Sequence, residues 1–347
     1  MNAKAQRAIR APFETPPSEG DAIEVAPGVL WMRLPLPMAL DHVNIYALDD
    51  GDSWTLIDTG LHSKRSIRIW DKLLAGPLAS KPVKRVVVTH HHPDHIGLAG
   101  WFQTVHGAEL ITTRTAWLFA RMLHLDVQDT PSGEVVAYWK SAGMPAELLA
   151  ARMSERPFNF ADTVAPMPLG FTRIGEGDVL QMGGRAWRTR IGHGHAPEQA
   201  TFWSEDDDLV LGGDQLLPSI SPNLGVYATE PEADPVAEWL ASCARFQTLA
   251  HERHFVLPGH KLPFIGLPTR LDQLIENHNG ALERLEAALE TPKTAVECFK
   301  PVFKREITGD AYGLALVEAM AHCLHLWHAG RITRSLRDDG AWLWHKI

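Results

Sequence analysis

Residues 89–95 read Thr-His-His-His-Pro-Asp-His, directly after the apolar run Val86-Val87-Val88. His90, His92, Asp94 and His95 fall in the pattern H-x-H-x-D-H and put four nitrogen and oxygen donors on one short loop at a strand end. Imidazole and carboxylate suit zinc and other borderline divalent ions. A loop can turn four nearby donors inward, whereas a strand sends alternate side chains to opposite faces. A fortuitous His-rich surface tract is the competing explanation. The strand-loop-helix text around this heptad speaks against it.

Three more donors recur at strand ends. His195 lies in IGHGHAPEQA, Asp214 ends LVLGGD and His260 ends FVLPGH. Each alone reads equally well as a loop histidine or a capping aspartate. With the heptad they supply six donors plus one carboxylate able to bridge. His193 is an alternative to His195, and His91 is expected to face outward or to be structural.

The elements that must position these residues alternate in type. AIEVAPGVLWMRLPL, HVNIYAL and SWTLIDTG are β-branched or aromatic runs separated by Pro-Gly and Asp-Asp-Gly turn signals. Residues 63–75 change to helical spacing, with Ile67, Trp70, Leu73 and Leu74 expected on one face. RVVVTH reads as a strand buried on both faces, followed by helical text and the strand ELITT. Residues 114–156 are mostly helical and rich in large apolar groups, among them Trp117, Phe119, Met122, Tyr138 and Trp139. They suggest a lid-like insertion over a site, or simply an insertion packed on the body. A second strand-rich block follows, then the helix DPVAEWLASCARFQTL and a last strand ending at His260. The two blocks suggest the two sheets of a sandwich.

A boundary is expected near residues 261–268. Beyond it, helices near 269–290, 293–303 and 311–329 precede two strand-like runs around Asp-Asp-Gly, a winged-helix outline. The expected organisation is an N-terminal flexible arm (1–20), a catalytic domain (21–266) and a small C-terminal domain (267–347). The arm reads as free or as a strap over a neighbouring subunit, which makes a homodimer one expected assembly.

The H-x-H-x-D-H motif followed by His195, Asp214 and His260 resembles the metallo-β-lactamase superfamily over about residues 20–265. The resemblance implies an α+β protein, an αββα sandwich, with the winged-helix-like domain appended. It implies that His90, His92 and His195 hold one metal, Asp94, His95 and His260 a second, and that Asp214 bridges them. Two zinc ions are expected, with iron or manganese using the same ligands. Asp58 in LIDTG corresponds to the acidic residue that supports the metal loop in that family. A bridged metal pair lowers the pKa of bound water, so a metal-bound hydroxide is the implied nucleophile. Asp94 is then the candidate catalytic residue, orienting that nucleophile or carrying its proton. Gln199 stands where many relatives have a further histidine.

Asp214 also bears on the substrate. Metallo-β-lactamases proper generally lack it, whereas glyoxalase II-like thioesterases, lactonases, phosphodiesterases and RNase-type nucleases carry it. The main expectation is cleavage of a thioester, ester or lactone of a small acyl substrate. The alternative is a LACTB-like endoribonuclease or phosphodiesterase acting on single-stranded RNA, and a further one a non-catalytic ligand sensor or DNA-binding regulator. Charge weighs against nucleic acid: the chain carries a net −9. Residues 270–346 hold ten Lys or Arg against eleven Asp or Glu, with one local patch at Lys300, Lys304 and Arg305. Cys243, Cys298 and Cys323 are few and widely spaced, as in a reducing compartment. No secretory signal or membrane-spanning run is legible, so a cytoplasmic protein is expected.

Overall fold

Period-two alternation along the strands sets the architecture, because successive side chains supply two different cores. The computed structural model describes residues 9–347. Its first sheet contains β1 (Ile23–Ala26), β2 (Val29–Pro35), β3 (His42–Asp49), β4 (Trp54–Ile57), β5 (Val83–Val87), β6 (Glu109–Thr113) and β7 (Thr172–Ile174), in that order. The pairings are antiparallel up to β4 and parallel from β4 to β7. The second sheet contains β8 (Val179–Met182), β9 (Arg185–Gly192), β10 (Gln199–Ser204), β11 (Leu209–Gly213), β12 (Phe255–Pro258) and β13 (Phe264–Ile265). Only β11 and β12 pair in parallel there. The two strand-rich blocks therefore form the two sheets of a sandwich, except that β7, the first strand of the second block, pairs with β6 and completes the first sheet.

Between the sheets, Trp31, Tyr46, Ile57 and Val87 meet Trp187, Phe202, Leu211 and Leu257. The next residues along the same strands point the other way. Met32, Ile45, Leu56, Val86 and Val88 of the first sheet pack with Trp70 of α1 (Lys64–Ala75) and Phe102. Two helices follow the metal-loop motif, the one-turn α2 (Pro93–Ile96) and α3 (Ala99–His106), which carries Phe102. Ser63 caps α1 by accepting from the Ser66 N–H. The buried face of α1 is Ser66, Ile69, Trp70 and Leu73, while Ile67 and Leu74 are only partly buried. The helix is rotated so that the Trp70 indole N–H reaches the Thr59 carbonyl at 2.9 Å.

The insertion forms α4 (Arg114–Leu125), α5 (Gly133–Ser141) and α6 (Ala146–Ser154). Trp117 stacks on Phe171, and Tyr138 donates to the Val226 carbonyl at 2.5 Å. Met122 is exposed. Trp117 and Tyr138 fasten the insertion to the body. Phe119 is placed differently, with its ring 5.2 Å from that of His91.

The outer face of the second sheet is covered by α7 (Pro235–Gln247) and α8 (Leu267–Ala288). The chain then forms α9 (Phe299–Phe303), α10 (Tyr312–His328) and the antiparallel hairpin β14 (Ile332–Leu336) and β15 (Trp342–Lys346). One continuous core joins Trp239 and Phe246 of α7 to Leu271 and Leu285 of α8 and to Leu316, Leu324 and Trp344. Helices thus cover both faces of the sandwich, and the C-terminal helices and hairpin share the core of one face. Of the expected N-terminal arm, residues 1–8 lie outside the described residues. Arg10 pairs with Ile265 at the edge of β13, and Phe13 stacks on Phe255. No helix among the described residues is long and apolar enough to cross a membrane.

Candidate metal centre

All seven donors singled out from the sequence converge where loops leave the ends of β5, β9, β11 and β12. His90, His92 and His195 form one group, His90, His95 and Asp214 another, and Asp94, His95 and His260 a third. Within each group the ligand atoms lie within 4.8 Å of one another.

The heptad turns inward because β5 stops at Val87 and a tight helical turn follows. Pro93 starts α2, and Asp94 and His95 sit in its first turn. Asp58, just past β4, governs this turn. Its Oδ1 accepts from the Thr89 N–H at 2.8 Å and its Oδ2 from the Thr89 hydroxyl at 2.9 Å. The same Oδ2 faces His95 Nδ1 at 2.8 Å. That contact assigns the His95 proton to Nδ1 and turns Nε2 toward Asp94 (3.6 Å) and Asp214 (3.4 Å).

Two backbone carbonyls do the same for the other histidines. His195 Nδ1 donates to the Asn223 carbonyl at 2.9 Å, and His260 Nδ1 to the His42 carbonyl at 2.7 Å. Their Nε2 atoms then face Asp214 Oδ2 at 3.4 and 3.2 Å. His92 Nδ1 lies 3.0 Å from both His90 Nε2 and His195 Nε2. Gly259 lets the β12 end approach Asp214, since a Cβ there would overlap Asp214 Oδ1.

Charge in the site is arranged around the carboxylates. Burial, then the neighbouring imidazoles, hold His90 and His92 well below the usual histidine range. Burial alone would lower His95 and His260 too, but Asp214 and the acids beside it outweigh burial. His95 is held well above its ordinary value and His260 is raised to about 10. Burial opposes ionisation of Asp214 as well, yet His260 and His95 keep its carboxyl well below the usual range.

This donor set fits divalent metal. His95 Nε2 and Asp214 Oδ1 are buried and lack a hydrogen-bond partner. Separations of 3.0–3.4 Å recur among the inward atoms. Bonds of about 2.0–2.1 Å to one tetrahedral ion give ligand–ligand edges of about 3.3 Å. Every histidine other than His92 has a partner on its far ring nitrogen; for His90 it is the Thr89 hydroxyl, 3.0 Å from Nδ1.

Other candidates lie elsewhere. His193 Nδ1 meets the Pro197 carbonyl at 2.5 Å, and this residue lines a separate cavity of about 840 Å³ with Arg114, Arg173, Glu238 and Arg245. His91 does not face outward. It is buried against Phe119 and His92, and burial pushes it down to about 3. Gln199 donates to Gln215 Oε1 at 2.8 Å. All three cysteines are buried and unpaired, and burial pushes the Cys243 thiol up to about 12. Asn223 and His42 escape a sequence reading because each acts through its backbone carbonyl, which every residue possesses.

The sequence pattern of the Metallo-beta-lactamase superfamily matches residues 38–288, and that of the Metallo-beta-lactamase-like, C-terminal domain matches residues 282–347. A beta-lactamase domain protein from Burkholderia ambifaria has a crystal structure that superposes with a TM-score of 0.89 at 35% identity, covering 99% of this chain and all of that one. A metallo-beta-lactamase family protein from Thermus thermophilus superposes with a TM-score of 0.77 at 27% identity, covering 93% of this chain and all of that one. The chain is also 26% identical over 290 residues to the probable metallo-hydrolase YqjP of Bacillus subtilis (strain 168), covering 80% of this chain and 87% of that protein. With the pattern spanning both sheets and the relative from Burkholderia aligned from end to end, the chain belongs to the metallo-β-lactamase superfamily and carries the C-terminal domain that accompanies it.

Proposed function

We propose that the chain is a dinuclear metal-dependent hydrolase that cleaves an ester-like bond, a thioester, ester or lactone of a small acyl substrate. The observation that carries this reading is the position of Asp214. Its Oδ1 faces His95 and its Oδ2 faces His195 and His260, so one carboxylate reaches both halves of the donor set. His90, His92 and His195 would hold one ion, and Asp94, His95 and His260 the other, with Asp214 between them. Zinc is the first choice, and iron or manganese suits the same donors. When bound, such a pair lowers the pKa of a water and polarises the oxygen of the bond under attack.

The remaining chemistry falls to the chain's own groups. Asp94 is the most accessible of the inward carboxylates and lies 3.3 Å from His260 Nε2 through its Oδ2. Its other oxygen is available to orient the attacking water and to accept its proton. Asp58, His42 and Asn223 hold the rings of His95, His260 and His195 in the required tautomers. An apolar ring borders this region, Phe119 against His91 with ring centres 5.2 Å apart. An acyl or ring substituent suits such a rim better than a polyanion does. The basic patch that would favour RNA is reduced, since Lys300 is paired with Glu306 at 3.1 Å. YqjP, the Bacillus relative, bears a metallo-hydrolase name, which agrees with the class.

A panel of acyl thioesters, esters, lactones, phosphodiesters and short RNA offered to the metal-loaded protein tests the reading. Turnover confined to the acyl substrates, with about two ions per chain at the centre, is the expected result. Cleavage of RNA alone would replace the acyl reading with the nuclease one. A folded protein that takes up no metal at this centre would remove both.

A further inference from the structure

A second set of donors lies in the helices that follow the sandwich. His278 of α8 and Glu318 and His322 of α10 place their ligand atoms within 4.8 Å of one another, and none belongs to the seven of the main centre. His322 Nδ1 donates to the Glu318 carbonyl one turn earlier, at 2.8 Å. Its Nε2 therefore carries the lone pair, and this atom lies 3.3 Å from His278 Nδ1. The far nitrogen of His278 meets Ser221 Oγ at 2.9 Å. The Glu318 carboxylate accepts from Asn223 Nδ2 at 2.8 Å. Each of the three side chains is thus held from behind by an outer partner, as metal-binding imidazoles and carboxylates are.

Two physical arguments favour a cation over a plain hydrogen-bond chain. A separation of 3.3 Å is beyond the usual span of a hydrogen bond from N–H, about 2.7–3.2 Å. It equals the edge between two ligands about 2.0–2.1 Å from one tetrahedral ion. The charges agree. Burial keeps both imidazoles neutral, His278 pushed down to about 3 and His322 to about 4. Burial raises Glu318 to about 8, and among the described residues the Asn223 amide, not a basic side chain, is what offsets it. Two neutral imidazoles beside one buried carboxyl form a site that a dication would complete on release of the carboxyl proton.

We infer that His278, Glu318 and His322 form a third divalent-cation site, for zinc or a similar borderline ion, separate from the dinuclear centre. The ion would pin α10 to α8. Through Asn223, whose amide bonds Glu318 and whose carbonyl accepts from His195, it would also steady one wall of the main centre. The inference does not depend on the hydrolase reading.

Zinc counting on the full chain tests it. The protein is stripped with chelator, re-equilibrated at buffered micromolar free zinc, desalted and assayed for zinc per chain, with circular dichroism as the folding control. Glu318→Gln keeps an acceptor for Asn223 but loses the charge, and His278→Gln removes an imidazole. Each is expected to hold one zinc fewer than the wild type. The variant His90→Ala/Asp214→Ala, stripped of donors from the main centre, should still hold one zinc and lose it when Glu318→Gln is added. Equal zinc in the wild type and both single variants would overturn the site. If a single variant misfolds, the His90→Ala/Asp214→Ala protein decides the matter. Its Tm rises by several degrees with zinc if the site exists and does not move if it does not. Two ions that both leave with His90→Ala/Asp214→Ala would end this inference and spare the hydrolase reading. One ion that leaves only with Glu318→Gln would do the reverse.

Discussion

Asp58 adopts φ 62° and sets its Oδ2 2.8 Å from His95 Nδ1. A non-glycine residue in the left-handed region costs on the order of 1 kcal/mol, and aspartate tolerates it better than most. The strain has a visible result, because in this conformation one carboxylate accepts from the Thr89 N–H, the Thr89 hydroxyl and His95 together. Asp58→Ala should therefore weaken zinc binding in the His95 half by about ten- to a hundredfold. Asp58→Asn keeps one acceptor, for the Thr89 N–H, and loses the acceptor that serves the Thr89 hydroxyl and His95, so it should fall between the wild type and Asp58→Ala. Competition with a chromophoric chelator measures both. Unchanged affinity in Asp58→Ala would show that the contact does not support the metal.

Gly259 offers a test by shape alone. A Cβ at this position would overlap Asp214 Oδ1 and press on His95 Cε1. Overpacking of this kind costs about 1–3 kcal/mol. If the carboxylate yields rather than the strand, Gly259→Ala should lose about ten- to a hundredfold in metal affinity with little change in Tm. A lower Tm with full metal occupancy would mean that the strand end moves instead.

Asp214→Ala removes the one carboxylate that faces both halves. Turnover of every substrate should fall to background while the circular dichroism spectrum stays that of the wild type. Retained activity with a full metal complement would exclude a bridging role.

The acid limb of the stability profile should depend on His254. Burial, with a smaller contribution from His251, pushes it down to about 4. Its Nδ1 accepts from the His251 N–H at 3.0 Å, and its ring meets Trp203 edge-on. The folded pKa lies below the unfolded value of about 6.5, so the stabilisation is complete above pH ~6.5 and is lost as pH falls toward 4. The loss is on the order of 1–2 kcal/mol once solvent screening is allowed for. His254→Gln keeps an acceptor without titrating and should flatten the urea midpoint across this window. An identical slope in wild type and variant would assign the acid limb to other groups.

One cation sits among three rings at the terminal hairpin. The Arg334 guanidinium lies 4.0 Å from the Trp327 ring centre, 4.3 Å from that of Trp342 and 5.6 Å from that of Trp344. Arg334→Met keeps most of the apolar stem and loses the charge, and should cost about 1–2 kcal/mol of stability. Arg334→Lys should cost less. Equal stability of all three proteins in denaturant titration would assign the packing to the three rings alone.

The primary structure alone determined the candidate donors and the layers. His90, His92, Asp94, His95, His195, Asp214 and His260 were legible as candidates because ligand chemistry resides in side-chain identity and each stands at or just past the end of a strand-like run. The sheets were legible because β2, β3 and β4 read as β-branched or aromatic runs between turn signals and β5 as a short apolar run. The rotation of α1 was not, since Ile67 and Ile69 are equally apolar and only the Trp70 contact with the Thr59 carbonyl chose between them. His91 could be read as outward or structural, and packing against Phe119 buried it. What only the tertiary structure decided is which nitrogen of each histidine points inward. The carbonyls of His42 and Asn223 make that choice, and one backbone carbonyl reads like another until the chain has folded. The association of His278 with Glu318 and His322 had the same origin, because two helices far apart in sequence share a face only once they pack.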